Sequence, residues 1–225
     1  MTWILTNDDG IDAPGMGALL KAVNGKAAIV APQLPHSGCG HQVTTHQPIA
    51  VDKRADSVYA VGGTPADCTR LGLTHLCPEA EWVLAGINAG GNLGADIYLS
   101  GTVAAVREAA LLGVPGIAIS HYVNRKLAID WDLAAELTAK VLADLLAQPW
   151  QKGTFWNVNL PHLAPGAPEP QIVFCELNRQ SLPVKYQVVG NEFIYQGKYA
   201  ERDRTPGTDV DVCFSGNIAV TLLHL

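Results

Sequence analysis

A chain of 225 residues has room for one domain, or one domain with a sizeable appendage, and for a real hydrophobic core. Apolar residues make up 48% and charged residues 16%, which excludes a disordered chain. Fifteen Lys and Arg against 21 Asp and Glu leave a net charge of −6, so the footprint of a duplex nucleic-acid binder, or of a protein held on an anionic membrane, is absent. An acidic chain that binds an anion must use backbone dipoles or a bound cation.

Thr2 to Thr6 reads as a strand, Pro14 to Val23 as a helix with proline in its first turn, and Ala27 to Ala31 as a second strand. The turn-rich stretch Pro32 to Gly40 is followed by β-prone pieces at Val43 to Val51 and Ser57 to Val61. Thr64 caps a helix that opens at Pro65 and runs towards Leu76. Glu81 to Ile87 is a buried strand, Gly101 to Leu112 a helix, Val114 to Ser120 a strand, and Asp130 to Leu146 the longest amphipathic helix. Near-continuous apolar strands separated by helices predict an α/β, Rossmann-like fold, a mostly parallel sheet with helices on both faces. After Phe155 to Leu160 the proline-rich stretch Pro161 to Pro170 reads as a linker or ordered loop. Ile172 to Leu177, Val184 to Val189, Phe193 to Gln196 and Asn217 to Leu223 then suggest antiparallel hairpins. The expected organisation is a core over 1–160 and a hairpin-rich extension over 161–225, packed on the core as one structural domain.

The longest charge-free stretch, Ala27 to Val51, holds three prolines and three histidines and cannot span a bilayer. Met1 leads directly into a strand-like run, so no signal peptide is expected. Five widely spaced cysteines without a C-x-x-C pair fit a reducing cytoplasm and read as buried small hydrophobes.

Ligands of open parallel sheets sit where strands end. Asn7-Asp8-Asp9-Gly10 follows the first strand, and two carboxylates about 4 Å apart repel by about 4 kcal/mol at an effective dielectric near 20. A shared proton or a divalent cation offsets that, and the oxygen donors available favour Mg²⁺ or Mn²⁺. The same dipeptide can also merely turn the chain and cap the helix near Pro14. Asn88 to Gly94 carries three glycines and two asparagines after a buried strand, so its backbone can approach a ligand closely. Ser100-Gly101-Thr102 opens a helix whose free amides can hold a phosphate, with Asn92 contributing further contacts, or simply cap it. His36, His41 and His46 recur every five residues, a spacing that fits neither a helix face nor a strand face; His36, beside Ser37, and Gly91 are candidates for the rim. Neither G-x-G-x-x-G, G-x-x-x-x-G-K-[ST] nor G-x-S-x-G occurs.

In register, TNDDGIDAPGMGAL (6–19), VAPQLPHSG (30–38), GTPADC (63–68), AGINAGGNLG (85–94) and YLSGTVAAVREAALLGVPGIAIS (98–120) resemble the SurE family of metal-dependent nucleotidases, with a weaker match at Pro206-Gly207-Thr208-Asp209. The resemblance implies a Rossmann-like core, a C-terminal extension used in a homodimer or higher assembly, and hydrolysis of nucleoside monophosphates, as a 5′- and also a 3′-nucleotidase. It also implies one divalent cation per subunit, held by Asp8, Asp9, Ser37 and Asn88. Asp8 or Asp9 would then also position the attacking water. Gln33, Leu34, His36 and Gly40 depart from the family pattern on the rim of the metal loop and bear on substrate preference. The end at Leu225 is short for the family and bears on the assembly. Two other readings are a phosphatase with an aspartyl nucleophile, which would want Asp-x-Asp, and a non-catalytic nucleotide-binding or assembly protein of the same fold.

Overall fold

The computed structural model describes residues 2–25, 27–124 and 127–225. Six parallel strands form its centre: β1 (Trp3–Thr6), β2 (Ala28–Pro32), β4 (Val58–Val61), β5 (Trp82–Asn88), β6 (Gly116–His121) and β7 (Thr154–Leu160). With β3 (Val51–Ala55), β8 (Ile172–Phe174) and β11 (Ile218–His224) they make a nine-stranded sheet in the order β3-β4-β2-β1-β5-β6-β7-β11-β8. Every residue of β2 and β6 is buried, as strands covered on both faces require. Helices α1 (Pro14–Ala22) and α4 (Trp131–Leu146) close one face over Leu5, Leu84 and Val158. Helices α2 (Pro65–Leu71) and α3 (Gly101–Leu111) close the other over Ile4, Val83 and Ala118. The result is the expected α/β sandwich of three layers.

The β-prone reading of Val43 to Val51 is corrected, because residues 43–50 join no strand and β3 begins only at Val51. Side chains explain the difference. The Thr44 amide and hydroxyl donate to Asp67 at 2.8 and 2.7 Å, and the Thr64 hydroxyl donates to the Gln42 carbonyl at 2.6 Å. This pins the segment to the start of α2 instead of to a ladder. Thr64 caps α2 in a reciprocal capping box with Asp67, and a π-helical turn (Gly72–Leu76) carries the helix to its expected end.

Beyond Pro161 the only antiparallel hairpin is β9 (Tyr186–Val189) with β10 (Glu192–Tyr195), joined across Gly190-Asn191. The pieces expected as further hairpins extend the central sheet instead, β11 antiparallel to β7 and β8 parallel to β11. Ile218 and Val220 point into one core layer and Leu223 into the other, so β11 needs both faces covered. A short helix, α5 (Asp209–Phe214), precedes β11.

Candidate active site

The parallel register brings the carboxyl ends of β1, β2 and β5 to one edge, and the loops that follow them meet there. At the end of β5, Gly86 has φ +147° and a Cβ on it would lie 2.3 Å from the Ile119 carbonyl oxygen, so only glycine allows the irregular step that re-aims Asn88. Backbone bonds lock the other loops together: the His36 amide donates to the Asp8 carbonyl at 2.7 Å, and the Gly40 amide to the Leu99 carbonyl at 3.0 Å.

Asp8 is 4% exposed. Its Oδ1 accepts the Thr102 hydroxyl at 2.6 Å, and a Cβ on Gly101 would come within 2.8 Å of the Asp8 Cβ. The carboxylate therefore presses on the N-terminus of α3, where free amides and the helix dipole favour negative charge. Burial nevertheless lifts its pKa above the ordinary aspartate range; the Thr102 hydroxyl opposes that shift and the Asp9 charge adds to it. Asp9 reaches across to β5, its Oδ2 accepting the Ala89 amide at 2.9 Å. The Asn88 Nδ2 donates to the Gly90 carbonyl at 2.7 Å, which leaves Oδ1 as the side-chain atom available to a ligand. The N-cap of helix α1 is Ala13, which offers no side-chain cap, so neither aspartate is spent on capping it.

Asp8, Asp9, Ser37 and Asn88 line a single cavity of about 280 Å³, together with Gly91, Asn92 and Ser100. No Lys, Arg or His is among its described lining residues, so Asp8 and Asp9 line it together without a basic side chain beside them there. Among the described residues no group of three or more His, Cys, Asp or Glu could hold a metal ion. The donor set here is instead two carboxylates, an amide oxygen and a hydroxyl, which suits a hard divalent cation.

Asn92 is buried in an amide network, its Nδ2 donating to Ser120 Oγ at 2.8 Å and its carbonyl accepting from Asn157 and Asn159. Ser100 caps α3 by accepting the Val103 amide, and its side chain also faces the cavity. Thr102 is fully buried and gives its hydroxyl to Asp8, so the carboxylate occupies the place at the helix N-terminus where the sequence reading puts a phosphate oxygen. Gly101 likewise packs on Asp8 and, like Thr102, is not among the cavity's lining residues. His36 contributes its backbone, and His41 pairs with Glu108 at 2.7 Å.

Asp96, Leu99 and Tyr199 also line the cavity, and none of them stands out in the sequence. Tyr199 comes from a 3₁₀ turn (Tyr199–Glu201) after the hairpin, and its hydroxyl donates to Asp96 Oδ2 at 2.7 Å. Arg202 donates to the same oxygen at 2.6 Å and to the Leu93 carbonyl at 2.7 Å. Asp209, in the weakly matching segment, accepts the Gly94 amide at 2.7 Å and ties the extension to the glycine-rich loop. A larger cleft of about 970 Å³ runs along β7, β8 and β11 past Trp156 and Phe174, but none of the expected site residues lines it.

The model of the family described as "Survival protein SurE" matches residues 3–183. The chain belongs to the SurE family. A protein of Nostoc sp. that bears a provisional 5′-nucleotidase name is 59% identical to it over 226 residues, covering all of both chains. "5'-nucleotidase SurE" of Geobacter sulfurreducens is 37% identical over 232 residues, which span all of this chain and 88% of that one. The crystal structure of the SurE protein from Aquifex aeolicus is similar with a TM-score of 0.89 at 31% identity, covering all of this chain and 93% of that one. No helix among the described residues is long and apolar enough to cross a membrane.

Proposed function

We propose that this SurE chain is a phosphoric monoester hydrolase acting on nucleoside monophosphates, as a 5′-nucleotidase and on 3′-phosphates as well. One Mg²⁺ or Mn²⁺ per subunit would be held by Asp8, Asp9, Ser37 and Asn88. The observation that carries the reading is the convergence of those four oxygen-bearing side chains, from two loops and the end of β5, on one cavity with no basic residue among its described lining residues. The nucleotidase names of the relatives support it. When bound, such a cation supplies positive charge for the phosphoryl oxygens and acidity for a water molecule.

The chain's own residues do the rest. The Thr102 hydroxyl favours the ionised form of Asp8 against the effect of burial and fixes the direction of its carboxylate. Asp9, held through one oxygen by the Ala89 amide, has the other free to orient an attacking water. Asn92 and Ser100 would bind the phosphoryl oxygens, with the dipole end of α3 behind Gly101 and Thr102 adding field at longer range. Release of phosphate from AMP with Mn²⁺, abolished by EDTA and restored by added metal, tests the reading. Tight nucleotide binding without phosphate release would overturn it in favour of a binding or assembly protein. Two outlying parts belong to the same proposal: a homodimer or higher assembly through the exposed β9–β10 hairpin, and a cytoplasmic location supported by the five unpaired cysteines.

A further inference from the structure

No residue from 33 to 50 is buried and none joins a strand, so the loop that carries Ser37 has neither an apolar anchor nor a ladder to hold it. Its course is set by hydrogen bonds. The His36 amide meets the Asp8 carbonyl just before Ser37, and the Gly40 amide meets the Leu99 carbonyl, one residue ahead of the cap of α3, just after it. A third tie is ionic. His41 Nε2 lies 2.7 Å from Glu108 Oε2, while Arg70 Nε donates to the other oxygen, Oε1, at 2.6 Å.

Only 3% of the Glu108 side chain is exposed. Burial works to raise its pKa, but the hydrogen bonds from His41 and Arg70 and their charges hold it below the ordinary glutamate range. An ionised carboxylate only accepts, so His41 Nε2 is the donor. Glu108 belongs to α3, nine of whose eleven residues are buried, and the start of that helix already holds Asp8 through the Thr102 hydroxyl. One rigid element therefore grips two segments of the cavity, the Asp8 turn at its first residues and the Ser37 loop about two turns further on. Neither His41 nor Glu108 is among the cavity's described lining residues, so whatever the pair does for the site it does through the loop.

We propose that His41 and Glu108 are positioning residues for the cation site: their ion pair fixes the Ser37 loop to α3, and so sets where the Ser37 hydroxyl stands relative to Asp8. The inference rests on the reading of Asp8, Asp9, Ser37 and Asn88 as the cation's donors and deepens it by naming what keeps one donor in place. A loop cut free of Glu108 spends only part of its time with Ser37 at the cavity, and apparent affinity falls by that fraction. Arg70 touches the same carboxylate from α2, outside the loop, so its loss weakens packing around Glu108 without releasing Ser37.

The test measures the Kd for Mn²⁺ by electron paramagnetic resonance of the free ion, in wild type, His41→Ala, His41→Gln and Arg70→Ala, with thermal melts in EDTA to confirm folding. Kd should rise about tenfold in His41→Ala. His41→Gln, whose amide reaches about as far and still donates to Glu108, should restore most of the affinity, and Arg70→Ala should lower the melting temperature while leaving Kd near wild type. An unchanged Kd in His41→Ala, or an equal rise in Arg70→Ala, overturns the tether and leaves the cation reading standing. If wild type takes up no Mn²⁺, the cation reading fails and hydrogen exchange without metal decides the tether: faster exchange across residues 36–40 in His41→Ala than in Arg70→Ala supports it, and equal exchange overturns it.

Discussion

Asp8 is nearly sealed from solvent, adjoins a second carboxylate and meets no basic side chain in its cavity. Its compensation within the protein is the Thr102 hydroxyl and the start of α3, so a buried carboxylate here costs stability that the proposed cation would restore. Asp8→Asn should therefore lower metal-dependent phosphatase activity about 100-fold or more while leaving the melting temperature unchanged or a few degrees higher. Full turnover in that variant would remove Asp8 from the site. Thr102→Val keeps the volume but strips the donor from a buried charge, so urea denaturation should show a loss of about 1–3 kcal/mol together with reduced turnover. His121, at the end of β6, makes a prediction in pH. Burial holds its pKa down to about 4, the Tyr122 carbonyl bonded to Nδ1 works the other way, and the neighbouring His162 ring, 4.9 Å away, adds to the depression. The folded state thus resists a proton that the unfolded chain takes up near pH 6.5, so this contribution is fully present above about 6.5 and is lost as pH falls towards 4. The loss should approach about 3 kcal/mol, and His121→Asn should lack that component when urea midpoints at pH 4.5 and 7.5 are compared with wild type.

Among the elements, the 3₁₀ turn from Gly94 to Tyr98 carries Asp96 into the cavity, and Asp209 at the start of α5 holds its first amide. The Asp209 carboxylate also accepts the Asn178 and Val210 amides at 2.8 and 2.9 Å. Asp209→Ala leaves all three donors without their acceptor, and should cost about 3–5 kcal/mol by denaturant titration. Turnover should fall as well, because the turn beside Ser100 loses its anchor; a variant with wild-type stability would show that solvent replaces these bonds. How far such elements can be read from sequence depends on what holds them. Strands β1, β2, β5 and β6 are mostly apolar runs, and the meeting of Asp8, Asp9, Ser37 and Asn88 at one cavity is legible because the ends of parallel strands and the loops beyond them gather at one edge of the sheet. Residues 43–50 are not legible, because their shape depends on Thr44 meeting Asp67 rather than on any period. Asp96, Tyr199 and Arg202 escape for a related reason: the bonds joining them span 103 and 106 positions, and no local pattern announces a contact made only by folding. Helix α5 is six residues long with polar and apolar positions nearly alternating, too short for a helical period to show.

For the molecule as a whole, the central sheet is closed by helices on both faces, but the β9–β10 ribbon has no such cover. All eight of its residues are exposed, and Val188, Phe193 and Ile194 retain 58, 68 and 46% of their surface. A two-stranded ribbon is marginal in water unless a face is covered, and an apolar one invites a partner. A second copy of the chain is the partner that closed point symmetry supplies most simply, since equivalent ribbons can then cover one another. If the proposed assembly forms through this ribbon, charges introduced on both strands should separate its copies without touching the core. Val188→Asp combined with Phe193→Asp should shift the light-scattering mass towards the 23.9 kDa of one chain, with the far-ultraviolet circular dichroism retained. A wild-type protein that is monomeric at micromolar concentration, or a double variant whose assembly is unchanged, would show that the ribbon is not the surface through which copies associate.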